Sequence, residues 1–103
     1  MPLRASLVAG TVTIDFGGIN GKLTAVSATQ PIGFELCAAG DARCRFVSAT
    51  LQGDRVHLAV PHGFSPARVR YCWGDGPVCT LYDSLRLPAV PFEMALSGAP
   101  HHR

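Results

Sequence analysis

Charge is scarce in this chain of 103 residues: Lys, Arg, Asp and Glu make up 16% of it, against about 25% in ordinary soluble domains. The net charge is +2 and the basic residues are scattered. A basic stripe with interleaved aromatics, the footprint of a nucleic-acid face, is missing, so nucleic acid is not an expected partner. No apolar run approaches the ~20 residues of a membrane helix, and no membrane association is expected. Met1 to Gly10 carries a single Arg4 and a short apolar patch. That is not a basic segment followed by a long apolar one, so no signal peptide is expected, and Met1 fits an added start residue on a fragment. No stretch holds a helical period over ten residues, and there is no internal repeat or low-complexity segment.

What is abundant is apolar character. Hydrophobic residues reach 48% and mean hydropathy is +0.22, high for a single domain with so much surface per unit volume. Two readings stand: a densely packed β core, or an apolar face meant to dock on a neighbour.

Period two runs through the sequence. Val12, Ile14 and Phe16 alternate with Thr11, Thr13 and Asp15, which predicts a half-buried strand. Gly10 separates it from Ser6–Ala9, its expected hairpin partner. Asn20-Gly21 signals a turn, and Lys22–Val26 a short strand. Further strands are expected over Pro31–Cys37, Arg45–Leu51, Arg55–Val60, Ala67–Trp73 and Phe92–Leu96, with turns at Ala38–Asp41, Gly53-Asp54 and Pro61–Gly63. In Ala67–Trp73, alternation puts Val69, Tyr71 and Trp73 on one face and Arg68, Arg70 and Cys72 on the other. Gly74–Pro77 and Leu87–Pro91 read as irregular loops. Seven or eight short strands with regular turns predict an all-β, single-domain antiparallel sandwich, jelly-roll-like, over residues 1–96, followed by a flexible polar tail at 97–103.

Acyl-transfer chemistry needs a nucleophile, a base and an orienting group within reach of one another. His57 reads as a solvated edge residue, His62 lies in a turn, and His101 and His102 fall in the tail. Ser65 precedes Pro66 and suits a turn better than an activated nucleophile. No catalytic residue and no cofactor are expected. The four cysteines form two pairs, Cys37/Cys44 and Cys72/Cys79, each with six residues between its members. Zinc knuckles space their ligands by about two to four residues, so no metal site is expected. Buried free thiols are the preferred reading, with two hairpin disulfides as the alternative. Tyr71, Trp73, Asp75 and Tyr82 also suggest a sugar-binding platform, although Tyr71 and Trp73 equally suit a core or an interdomain seam.

Three blocks carry a resemblance: Gly33-Phe34-Glu35-Leu36; Ala49–Val56; and Val69-Arg70-Tyr71-Cys72-Trp73 with Pro77–Asp83 and Leu87-Pro88-Ala89-Val90-Pro91-Phe92. In order and spacing they resemble the closing segment of sialate O-acetylesterases and their bacterial relatives. The resemblance covers nearly the whole chain. It implies the C-terminal β-domain of that family, without the SGNH-type hydrolase domain whose Ser and Asp-x-x-His form the active site. This chain has no such Ser block, and its one Asp-x-x-His, Asp54-Arg55-Val56-His57, falls at the Gly53-Asp54 turn and the strand after it rather than in a hydrolase segment. It departs from the family at Thr80, Asp83, Arg86 and Glu93, which puts docking on a hydrolase in question. The resemblance implies a non-catalytic accessory domain whose partner is an SGNH-type hydrolase domain in cis or in trans, or a second copy of itself. The expected contact residues are Tyr71, Trp73, Asp75, Leu81, Tyr82, Leu87, Pro88, Pro91 and Phe92. An exported or lysosomal-type setting is expected as part of an esterase, and a cytoplasmic one if the chain stands alone.

Overall fold

The computed structural model describes residues 1–19, 21–25, 33–39, 43–73, 79–85 and 87–98. Among them are ten strands: β1 (Pro2–Val8), β2 (Thr11–Phe16), β3 (Thr24–Ala25), β4 (Phe34–Ala38), β5 (Cys44–Phe46), β6 (Ala49–Gln52), β7 (Arg55–Ala59), β8 (Pro66–Tyr71), β9 (Leu81–Tyr82) and β10 (Phe92–Ala95). Eight build two antiparallel sheets, in the orders β1-β2-β7-β6 and β10-β8-β4-β5, and β3 pairs with β9 in a small third sheet. The all-β sandwich expected from the alternation is the observed architecture.

Local chemistry explains the hairpins. Ala9 (φ 50°) and Gly10 (φ 80°) form the two-residue turn between β1 and β2, where the strand twist favours positive φ at both positions. Gly53 (φ 62°) and Asp54 turn β6 into β7. From the first sheet, Val12, Ile14, Phe16, Ala49, Val56 and Leu58 point inward. From the second come Phe34, Leu36, Val69, Tyr71 and Phe92, and all are buried. An aromatic cluster ties the two sheets together: Phe16 and Phe92 meet edge-on at 5.9 Å, and Phe34 and Tyr71 lie 4.7 Å apart. The Tyr71 hydroxyl accepts a hydrogen bond from the Leu81 amide at 2.9 Å, so it also fastens the small third sheet.

Four expectations give way. The single strand at Arg45–Leu51 is two strands in different sheets: β5 ends at Phe46, and β6 begins at Ala49. The chain bends at Val47-Ser48, with the Val47 amide bonded to the Phe34 carbonyl and the Ser48 carbonyl bonded to the Ala59 amide. A strand that changes sheets closes one side of the sandwich. His57 is not on an edge, because β7 lies between β2 and β6. The thiols are joined as disulfides, Cys37–Cys44 and Cys72–Cys79. In the first case the register places the two residues directly opposite each other on β4 and β5; the free-thiol reading is set aside. The expected polar tail begins with an anchored residue: Ser97 donates its amide and hydroxyl to the Ala5 carbonyl, and its own carbonyl accepts from the Leu7 amide. Residues 99–103, with His101 and His102, lie outside the described residues.

Candidate functional site

At one end of the sandwich, a groove of about 250 Å³ opens between the chain start and the loop after β9. Phe16, Ile19 and Leu23 line it from the first sheet side, and Tyr82, Pro88 and Val90 from the other, with Met1 at its rim. Backbone bonds hold its walls. The Met1 ammonium donates to the Gly17 carbonyl at 2.6 Å, and the Gly17 amide donates back to the Met1 carbonyl. The Leu87–Pro91 stretch, expected to be irregular, is fastened to β9 by the Ala89 amide on the Leu81 carbonyl and by a bridge between Pro88 and Tyr82.

Asp83 builds that loop. Its buried carboxylate accepts from the amides of Leu85 (2.9 Å) and Leu87 (3.0 Å), the local pattern by which Asp replaces a backbone turn bond. Three of the departures from the family pattern therefore have internal tasks or surroundings. Asp83 shapes the loop, Thr80 is buried, and Glu93 pairs with Arg70 (2.5 Å) and Arg68 (3.1 Å). Arg86 lies outside the described residues.

The expected contact residues divide into three groups. Tyr82, Leu87 and Pro88 come together at the groove, with Pro91 exposed beyond them. Tyr71, Leu81 and Phe92 are core residues. Trp73 lies on the outer surface, and Asp75 falls outside the described residues. The shared face of Tyr71 and Trp73 is thus corrected: Tyr71 is 1% exposed and Trp73 43%. Cys72, at φ 56°, takes the chain out of the strand conformation directly after β8, so the alternation stops there. Trp73 instead lies by the outward-facing Arg70, whose guanidinium carbon sits 5.4 Å from its ring centre. The four-residue sugar platform is therefore not assembled.

Sequence reasoning missed Met1, Ile19 and Val90, which line the groove with Leu87; Met1, Leu87 and Val90 are exposed there. They come from separate segments, and only the fold brings them together. Phe46 was missed too; it is 72% exposed on β5.

Asp15 is bridged by Arg4 and Arg55, each at 2.8 Å. The hydrogen bond from Arg4, helped by the charge of Arg55, holds its carboxyl below the usual carboxylate range. Burial pushes the Tyr71 phenol up, against the opposing effect of the Leu81 amide bond. His57 bonds Thr13 Oγ1 at 3.1 Å and Gln52 Oε1 at 2.9 Å, which places a hydroxyl, an imidazole and an amide in a row. The row lies on the outer side of a sheet, and its residues do not line the groove. Ser65 and His62 are exposed, and no hydrogen bond joins them among the described residues. Among those residues no group of three or more His, Cys, Asp or Glu could hold a metal ion.

A solved structure, a carbohydrate acetylesterase from Xanthomonas citri, is similar to this chain over 90% of its length, with 29% sequence identity and a TM-score of 0.78. This chain has an esterase-related fold. It spans only 22% of that esterase. No family model matches the chain, and no curated protein matches it.

Proposed function

We propose that this chain is a non-catalytic accessory β-domain of a carbohydrate acetylesterase system, of the kind that closes sialate O-acetylesterases. The observation that carries the reading is the match to a domain-sized fifth of an acetylesterase, joined to a chain without the Ser block of those hydrolases. Its task is to pack on an SGNH-type hydrolase domain, in cis or in trans, and to stabilise it. The docking face is the groove end rather than the Tyr71–Trp73 strand face. Leu87 and Val90 are 55% and 64% exposed there, and a contiguous apolar patch marks an interaction surface. Met1 sits at the same end, so polypeptide preceding it would enter beside the patch. A chain without a hydrolase covers the patch by pairing with a second copy. Two disulfides favour an exported or otherwise oxidising setting.

The test is the state of the native protein. The reading expects this sequence within a longer polypeptide that contains a hydrolase, in a stable complex with one, or as a homodimer that Val90→Glu dissociates. A free 103-residue monomer at high concentration by light scattering, with no hydrolase bound, would refute it.

A further inference from the structure

The outer face of the second sheet carries a feature that the accessory reading does not use. The register lines up four residues across its four strands: Phe46 on β5 opposite Glu35 on β4, Glu35 opposite Arg70 on β8, and Arg70 opposite Glu93 on β10. Their neighbours Phe34, Leu36, Val69, Tyr71 and Phe92 point into the core, so these side chains point away from it. At one end of the row stands exposed Phe46. Beside Arg70 stands Trp73, outside the strand, with the guanidinium near its ring.

This surface is ordered rather than a loose fringe. Arg70 donates Nε to Glu93 at 2.5 Å and Nη1 to Cys44 Sγ at 3.4 Å. Cys44 is tied to Cys37 on the neighbouring strand. Trp73 follows Cys72, which is tied to Cys79. Two disulfides thus brace the two aromatic ends. Rigid aromatic groups and a fixed guanidinium lose little entropy when a ligand binds.

The chemistry of the row selects a ligand class. Aromatic rings offer apolar faces to the C–H faces of pyranoses. Arg70 and Glu93 form an ion pair, and Glu35 offers a carboxylate that makes no ion pair among the described residues, so hydroxyl groups find an acceptor and a donor between the rings. With Arg68 also on Glu93, the two cations and two anions balance, which suits an uncharged ligand; the Glu35 carboxylate disfavours an anionic one. Phe46 and Arg70 are two strands apart, about 10 Å at the usual strand spacing, and the Trp73 ring lies at the Arg70 guanidinium. A monosaccharide does not bridge that span, whereas an oligosaccharide does.

We infer that Phe46, Glu35, Arg70 and Trp73 form a binding face for a neutral oligosaccharide. This site differs from the expected Tyr71, Trp73, Asp75 and Tyr82 set, and its residues do not line the groove, so it stands or falls separately from the docking reading.

The chain contains a single tryptophan, so its fluorescence reports on Trp73 alone. The intact chain is titrated with β-1,4-linked xylo-oligosaccharides from one to five units, and with sialic acid. The expected result is a saturable change in Trp73 emission that strengthens with chain length and is absent for the monosaccharide. Phe46→Ala and Glu35→Gln, both at non-core positions that should leave the fold intact, are expected to weaken binding by about tenfold, the scale of losing one interface anchor. Unchanged emission together with no calorimetric heat at millimolar ligand overturns the inference. So does binding that both variants leave intact, or a preference for sialic acid.

Discussion

Replacing Tyr71 by Phe removes one oxygen and leaves the ring in place. That oxygen is the partner of the buried Leu81 amide at 2.9 Å, and Tyr71 itself is 1% exposed. The ring contacts with Phe34 (4.7 Å) and Phe92 (5.8 Å) remain in the variant, so the loss is confined to an amide left without its acceptor. A buried unsatisfied donor costs about 1–3 kcal/mol. In a domain of this size 1 kcal/mol moves Tm by about 4–8 °C, so a mid-range loss of about 2 kcal/mol lowers Tm by about 8–16 °C. Urea denaturation should show the same loss in midpoint with an unchanged slope, since the surface exposed on unfolding is the same. Tyr71→Ala, which also empties the ring site, should cost a further few kcal/mol. A Tyr71→Phe variant as stable as the parent would refute the claim that this hydroxyl fastens the third sheet to the sandwich.

The remaining predictions concern charge, backbone and sulfur. The raised Tyr71 pKa means that the folded state holds its proton more tightly than the unfolded state. The resulting stability is intact below the ordinary phenol value and is lost as pH rises from there through the folded value; ultraviolet difference titration should show one of the two tyrosines ionising late. The lowered Asp15 pKa has the opposite sign: its contribution is present above the ordinary carboxylate value and disappears as pH falls through the folded one. Arg4→Ala should move the Asp15 titration, followed by carbon NMR, back toward the ordinary range. Gly98→Ala should destabilise the fold by about 1–2 kcal/mol, because Gly98 has φ 81° and an added Cβ would lie 2.7 Å from the Leu7 carbonyl oxygen; an unchanged denaturation midpoint would contradict this. Denatured, unreduced protein should show no free thiol, and reduction should lower stability by roughly 2–3 kcal/mol per small disulfide loop. Four thiol equivalents before reduction would restore the free-thiol reading.

Much of the scaffold was legible because a strand with one buried face alternates in sequence. Val12, Ile14 and Phe16, or Val56 and Leu58, announce their inward face without help from the rest of the chain. The bend at Val47-Ser48 was not legible, because a strand that passes from one sheet to another keeps its alternation on both sides of the corner. Trp73 was misplaced for a related reason. Alternation predicts a shared face only while the backbone stays extended, and the positive φ at Cys72 carries no sequence mark. The groove was half legible: Tyr82, Leu87 and Pro88 belong to the block that carries the family resemblance, whereas Met1 and Ile19 reach them only through folding. His57 looked solvated because it alternates outward between the inward-facing Val56 and Leu58, but its partners Thr13 and Gln52 come from flanking strands.

The central claim is that this domain binds and supports but does not itself cleave. Purified chain assayed with p-nitrophenyl acetate and with an acetylated xylo-oligosaccharide is predicted to hydrolyse neither faster than buffer. Turnover above background that disappears in His57→Ala or Thr13→Val would contradict the account, because it would make the Thr13–His57–Gln52 row a working site.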